Sequence, residues 1–188
     1  MNAATPMNVE PAAINLGARI KGSSTIYGEI HDFLIDEALV LDEDRHFEWL
    51  EFLAADVVYK MPIRKNMYRR DGDGIDDRNN HWYESRDSLF MRVRRSREVA
   101  SAFDRDPPPR IRRMVSNLIV RETPKPGEYA ATSNLLLLRN RFDDPIYDIL
   151  SAKREDLIRG ENGAYKLARR IILVDQAALG AVFFNVFM

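Results

Sequence analysis

A chain of 188 residues, 45% hydrophobic and with a formal net charge of -1, has room for one well-buried core and lacks the basic excess that a nucleic-acid binder uses to displace counterions from phosphates. The absence of cysteine excludes disulfides, thiolate-bound metals and cysteine nucleophiles within the chain. No apolar run approaches the roughly eighteen residues that a membrane-spanning helix needs.

Residues 1–22 carry Pro6, Pro11, Gly17 and Gly22 and read as an extended arm, of a kind that often lies on a neighbouring subunit. This stretch lacks the basic start and continuous apolar core of a signal peptide, and the absence of cysteine fits a reducing cytoplasm, the expected location. After Ser23, Ser24 and Thr25, all good N-cap types, apolar residues recur at Ile26, Ile30, Phe33, Leu34, Ala38 and Leu41, the spacing of an amphipathic helix. Asp42 and Asp44 then introduce a second short helix marked by Phe47, Trp49, Leu50, Leu53 and Ala54. Alternation from Asp56 to Met61 predicts a strand stopped by Pro62, and the polar stretch Asn66 to Asn80 predicts a loop. Apolar positions at Leu89, Phe90, Val93, Val99 and Phe103 predict a third helix over Ser85 to Ala102, ended by Pro107, Pro108 and Pro109.

The period then changes to two. Ile111 to Glu122, Tyr129 to Phe142, Tyr147 to Arg159 and Tyr165 to Asp175 predict four strands, joined by turns at Pro124-Pro126-Gly127, Asp143-Asp144-Pro145 and Glu161-Asn162-Gly163. Helices followed by a meander predict an α+β fold in which N-terminal helices pack on a strongly curved, mainly antiparallel sheet, with residues 23–188 as a single domain. Phe183, Phe184, Val186, Phe187 and Met188 make an apolar end to the chain that requires burial in the fold or against a partner.

No catalytic constellation assembles from these residues. His31, His46 and His81 are too few and too far apart for a local metal motif. The acidic run Asp71 to Asp77 fails the calcium-loop spacing, because Ile75 and Asp76 fall where a ligand and a glycine are needed. A helix-covered cone could enclose Asp56, Tyr59, His31 and Tyr27 as acid–base candidates, or could be filled by Trp49, Leu50, Val57 and the Leu and Ile side chains of the sheet. Of the 28 basic residues, 22 are Arg and 6 Lys, a bias that suits planar pairing with carboxylates at interfaces and that GC-rich codon usage also produces. On predicted strands Arg139 and Arg141 would point together, as would Arg110 and Arg112, either as a solvated stripe or as an interface meeting a partner's carboxylates.

The segments EALVLD at Glu37 to Asp42, FEWLEFLAADVVYKMPIR at Phe47 to Arg64, PPPRIRRMVSNLIV at Pro107 to Val120, SNLLLLRNRF at Ser133 to Phe142 and RRIILVDQAAL at Arg169 to Leu179 carry a resemblance. In this order and spacing the chain resembles the small (β) subunit of the bacterial aromatic-ring-hydroxylating dioxygenases. Where the family often reads PPSRTRH this chain has PPPRIRR, so Pro109, Ile111 and Arg113 depart from the pattern. The resemblance implies a cystatin-like or NTF2-like cone. It also implies a non-catalytic role with no cofactor in this chain: assembly and stabilisation of an α3β3 hexamer with a large α subunit that carries the Rieske [2Fe-2S] cluster and the mononuclear Fe(II). Ferredoxin and reductase partners deliver electrons from NADH, for cis-dihydroxylation by O2 of an aromatic hydrocarbon of naphthalene or biphenyl type. Neither nucleic acid nor membrane is an expected partner. On this reading the interface comprises Tyr59, Met61 and Arg64, then Arg110, Arg112, Arg139 and Arg141, with Phe187 from the apolar end. The alternative is a self-sufficient NTF2-like isomerase or dehydratase with a polar group in its cone.

Overall fold

The computed structural model describes residues 16–98, 107–180 and 186–188. Helix α1 spans Thr25–Asp42 and starts after an extended Ser24. Its buried face carries Ile30, Leu34, Glu37, Ala38 and Leu41, a 3.6-residue spacing interrupted by one carboxylate. Asp44 takes a left-handed conformation (φ 61°), which Asp tolerates, and turns the chain into α2, His46–Trp49, and a 3-10 turn over Leu50–Phe52.

Strand β1 runs Leu53–Arg64 and β2 runs Ile75–Glu84. Helix α3, Arg86–Glu98, begins with a reciprocal cap in which the Ser85 N–H donates to Ser88 Oγ (2.9 Å) and the Ser88 N–H to Ser85 Oγ (3.4 Å). Strands β3 (Arg110–Glu122), β4 (Glu128–Asn140), β5 (Asp148–Glu161) and β6 (Ala164–Val174) form the expected antiparallel meander. The six-stranded sheet has the order β2-β1-β6-β5-β4-β3, so β1 is inserted beside β6 and pairs with it in parallel. The sheet is therefore mixed, and register shifts within β1, in β3 after Ser116 and between β5 and β6 bend it around the helices. Helix α1 packs on β3, and α3 on β1 and β2. Between helices and sheet lies one core that includes Leu34, Trp49, Val57, Leu135, Leu137, Leu150 and Ile172.

Three local expectations are corrected. Leu53 and Ala54 open β1 instead of closing a helix. Pro62 does not stop the strand, because it sits at a pair of register shifts where its missing N–H leaves no ladder bond unmade. The polar stretch Asn66 to Asn80 supplies the first half of β2, an edge strand that can be polar because one side faces solvent. The arm reading falls outside the described residues for 1–15. Residues 16–20 run beside this chain's own β3, where the Gly17 N–H donates to Glu122 O (2.8 Å) and the Ile20 N–H to Val120 O (2.9 Å). Val99 to Phe103, expected to continue α3, and Phe183 and Phe184 also lie outside the described residues.

Candidate functional site

The centre of the cone is polar. Glu37 shares its face of α1 with Leu34 and Leu41, and Arg170 of β6 shares its side of the sheet with Ile172 and Val174. Both are 0% exposed. Arg154 and Asp156 of β5 alternate in the same way with Ala152 and Ile158, and Asp156 stands opposite Arg170 in the ladder. The Arg170 guanidinium forks twice. Nη1 and Nη2 donate to the two oxygens of Glu37 (2.7 Å each), while Nε and Nη2 donate to the two oxygens of Asp156 (2.8 Å each). Trp49 Nε1 donates to Glu37 Oε1 (3.0 Å), and Arg154 lies 3.9 Å from Glu37 while donating to Ser133 Oγ (3.3 Å).

Burial pushes the Glu37 carboxyl up, but the Arg170 charge and hydrogen bonds outweigh it, with help from Arg154 and Trp49, and hold it below the ordinary range. Burial likewise works against the Arg170 charge, which Asp156 and Glu37 keep firmly on. Arg154, buried and repelled by Arg170, drops to about 10. Because Glu37 binds its proton less readily in the fold than in the unfolded chain, its contribution to stability is complete above the ordinary glutamate value of 4.5 and is lost as pH falls through the lower folded value. The urea midpoint should therefore be level in pH from neutrality down to about 5 and fall in more acidic solution, and Glu37→Gln should flatten that acid limb. An unchanged acid limb in the variant would remove Glu37 from this account.

The same centre holds the end of the chain. Tyr59 Oη donates to Met188 O and accepts from the Met188 N–H (2.7 Å), and Arg170 Nη1 also donates to Met188 O (2.9 Å). Arg113 donates through Nε (3.2 Å) and Nη2 (2.7 Å) to Phe187 O, and through Nη1 to Asp42 Oδ1 (2.5 Å). The Phe187 ring packs 4.6 Å from Trp49 and 5.2 Å from His46, with the Arg92 guanidinium 4.9 Å from its centroid. Both oxygens of Glu37 and the Tyr59 hydroxyl are thus engaged, an arrangement that ties helix, sheet and residues 187 and 188 together.

The acid–base candidates do not converge. Asp56 is exposed and paired with Arg159 (2.9 Å), His31 is exposed beside Asp32 (3.1 Å), and Tyr27 donates to Leu118 O (3.4 Å). Only Tyr59 reaches the centre, where Trp49, Leu50 and Val57 are buried as the filling reading required. The interface candidates also divide. Tyr59, Met61 and Phe187 are interior side chains of this chain, so they offer a partner no contact surface. Arg139 points inward, buried on β4, and donates to Asp148 Oδ2 (2.8 Å). Arg141 lies beyond the end of β4 and does not share a face with Arg139. Arg64 is half-buried and donates to Val174 O. Arg110 and Arg112 are exposed on the same side of β3, as their spacing predicted. Glu37, Arg113, Arg154, Asp156 and Arg170 were the residues missed, although each stands at an apolar position of its helix or strand period.

The family model described as "Ring hydroxylating beta subunit" matches residues 36–181. The chain belongs to this family of ring-hydroxylating β subunits. Within it, the chain is 32% identical over 155 residues to the biphenyl 2,3-dioxygenase subunit beta of Rhodococcus jostii, covering 80% of this chain and 82% of that one. It is 34% identical over 157 residues to the chlorobenzene dioxygenase subunit beta of a Cupriavidus species, with 80% and 82% covered. A solved chain of naphthalene 1,2-dioxygenase with indole bound in the active site shares the fold at TM-score 0.75 and 24% identity, covering 86% of this chain and 84% of that one. β subunits of this family are components of ring-hydroxylating oxygenases, which implies an α subunit as partner. The residues of this chain do not fit an iron–sulfur or mononuclear iron centre. It has no cysteine, and its histidines lie apart: His31 exposed on α1, His46 against Phe187 and His81 on β2.

Proposed function

We propose that this chain is the non-catalytic, assembling subunit of an aromatic-ring dioxygenase acting in the cytoplasm. Its partner is a large subunit bearing a Rieske [2Fe-2S] cluster and a mononuclear Fe(II), in an α3β3 hexamer supplied with electrons from NADH through ferredoxin and reductase. The substrate is an aromatic hydrocarbon, and the chain acts as a single domain, 23–188, preceded by an N-terminal arm.

One observation supports this reading above the others: the outer face of the sheet carries an exposed apolar patch at its β3–β5 side. Met114, Leu136 and Ile149, on three adjacent strands, are 44%, 38% and 53% exposed, and Phe142, Ile146 and Tyr147 extend the patch at the β4–β5 turn. Arg110, Arg112 and Arg141 edge it, Arg141 lying 4.5 Å from the centroid of the Phe142 ring. An apolar patch with an arginine rim has the composition of an interface core.

Co-expression with the large subunit, light scattering and iron analysis of each species test the assembly. A hexamer-sized complex with iron only in the large chain is expected. A species of this chain that ignores the large subunit would count against the proposal. Met114→Glu combined with Ile149→Glu should leave the melting temperature of the isolated chain nearly unchanged, since exposed substitutions cost about 0.5 kcal/mol or less. The same pair should weaken assembly by at least about 30-fold, as loss of a buried apolar anchor does.

A further inference from the structure

We propose that the cavity between helix α1 and the strands β4 to β6 is a binding site for a small organic cation, a substituted ammonium ion held by three carboxylates and three aromatic rings. The cavity has a volume of about 620 Å³ and shares no residue with the apolar patch on the outer face of the sheet. Glu29, Asp32, Phe33 and Asp36 line it from one face of α1, since residues three, four and seven apart stack along a helix. Tyr129 of β4 and Tyr165 of β6 add two further rings. Tyr165 packs edge-on against both Phe33 (6.4 Å between centroids) and Tyr129 (6.2 Å), and all three rings rest on the core, so the aromatic wall is fixed before a ligand arrives. The Tyr165 hydroxyl donates to Glu29 Oε2 (2.8 Å), and burial with the help of that carboxylate pushes it up to about 12, which keeps it a neutral donor.

No lysine or arginine compensates the charge of the three carboxylates. Among the described residues none lines the cavity, and the cations next to its lining residues in sequence are turned elsewhere: Lys125 to Glu128 (2.6 Å), Arg159 to Glu128 (2.7 Å) and Asp56 (2.9 Å), and Lys166 to Glu51 O. Asp32 meets the His31 ring beside it (3.1 Å). A bare metal ion does not fit, because no three carboxylates or imidazoles among the described residues are grouped to hold one. An anion would meet like charge. The rings select the kind of cation, since an aromatic face attracts positive charge, and most readily a charge clothed in carbon that gives up little hydration on leaving water. The volume is in the range of small-molecule sites, whose walls combine rings with a few polar groups.

Calorimetric titration of the full chain with benzyltrimethylammonium tests the site, with benzyl alcohol as a neutral probe bearing the same ring. The cation should bind saturably, and the alcohol should not. Asp32→Asn combined with Asp36→Asn changes two exposed side chains, should leave the melting midpoint unmoved, and should weaken binding at least about 10-fold. Gly160→Leu keeps every carboxylate and should weaken binding as much by filling the cavity, since a Cβ there meets only Gly127 O at 3.7 Å, an ordinary contact. Equal binding of the alcohol, a titration that does not saturate, or native affinity in either variant would overturn the proposal. The titration is repeated on the complex with the large subunit. Binding retained there supports a free ligand, whereas binding lost on assembly would give the cavity to a basic side chain of that subunit and overturn the proposal.

Discussion

Replacing Arg170 by Met is expected to destabilise the chain by about 3 to 5 kcal/mol, the cost of leaving buried carboxylates without their counter-charge. Arg170 pairs with both Glu37 and Asp156, and none of the three side chains reaches solvent. The nearest other cation, Arg154, is 3.9 Å from Glu37 and already repelled by Arg170, so it would neutralise at most part of the deficit. Arg170→Lys should also lose stability, because an ammonium offers a point charge where the site needs a planar fork facing two carboxylates. Urea unfolding followed by circular dichroism measures both variants. A loss below about 1 kcal/mol for Arg170→Met would mean that water reaches the network and the centre is not closed.

Trp49→Ala should cost about the same, 3 to 5 kcal/mol, by a different mechanism, loss of packed volume in the core. Its ring is fully buried, edge-on to Tyr59 at 6.1 Å and close to Phe187 at 4.6 Å, so removing it frees the chain end as well as opening a void. Trp49→Phe keeps an aromatic ring, deletes the N–H donated to Glu37 and leaves a smaller void than Ala, and should cost about 1 to 3 kcal/mol, chiefly the penalty for an acceptor left short of a partner. The difference between the two variants separates packing from hydrogen bonding. Midpoints for Ala and Phe that coincide would assign the whole effect to the hydrogen bond and would contradict the packing account.

Much of the architecture is written in local periods. The two-residue alternation after Pro109 predicts β3 to β6 and their order, and the spacing of Ile30, Leu34, Ala38 and Leu41 predicts α1, because these patterns depend only on which side of one element is apolar. Glu37 stands in the apolar stripe of α1. Arg169 and Arg170 are neighbours on a strand and must face opposite ways, and Arg170 shares parity with Ile172 and Val174. That much implied a buried charge on each element. The partner of each charge was not legible, because Glu37 and Arg170 are separated by 133 residues and meet only when the helix is laid across the sheet.

The same holds for the surface. That Arg110 and Arg112 share a face follows from strand geometry, whereas the inward turn of Arg139 depends on which side of β4 the helices cover. Pro62 was misread and β2 missed because a register shift and a solvent-facing edge relax the rules that govern a central strand. The parallel pairing of β1 with β6 joins segments more than a hundred residues apart. The sequence by itself determined the helices, five of the six strands, their order along the chain and the family, since these rest on local pattern and on motifs along the chain. Only the tertiary structure decided that Phe187 and Met188 fill the cone beside the buried ion pairs of Arg170 and Arg113, because that depends on which distant side chains the sheet and helices bring within hydrogen-bond reach.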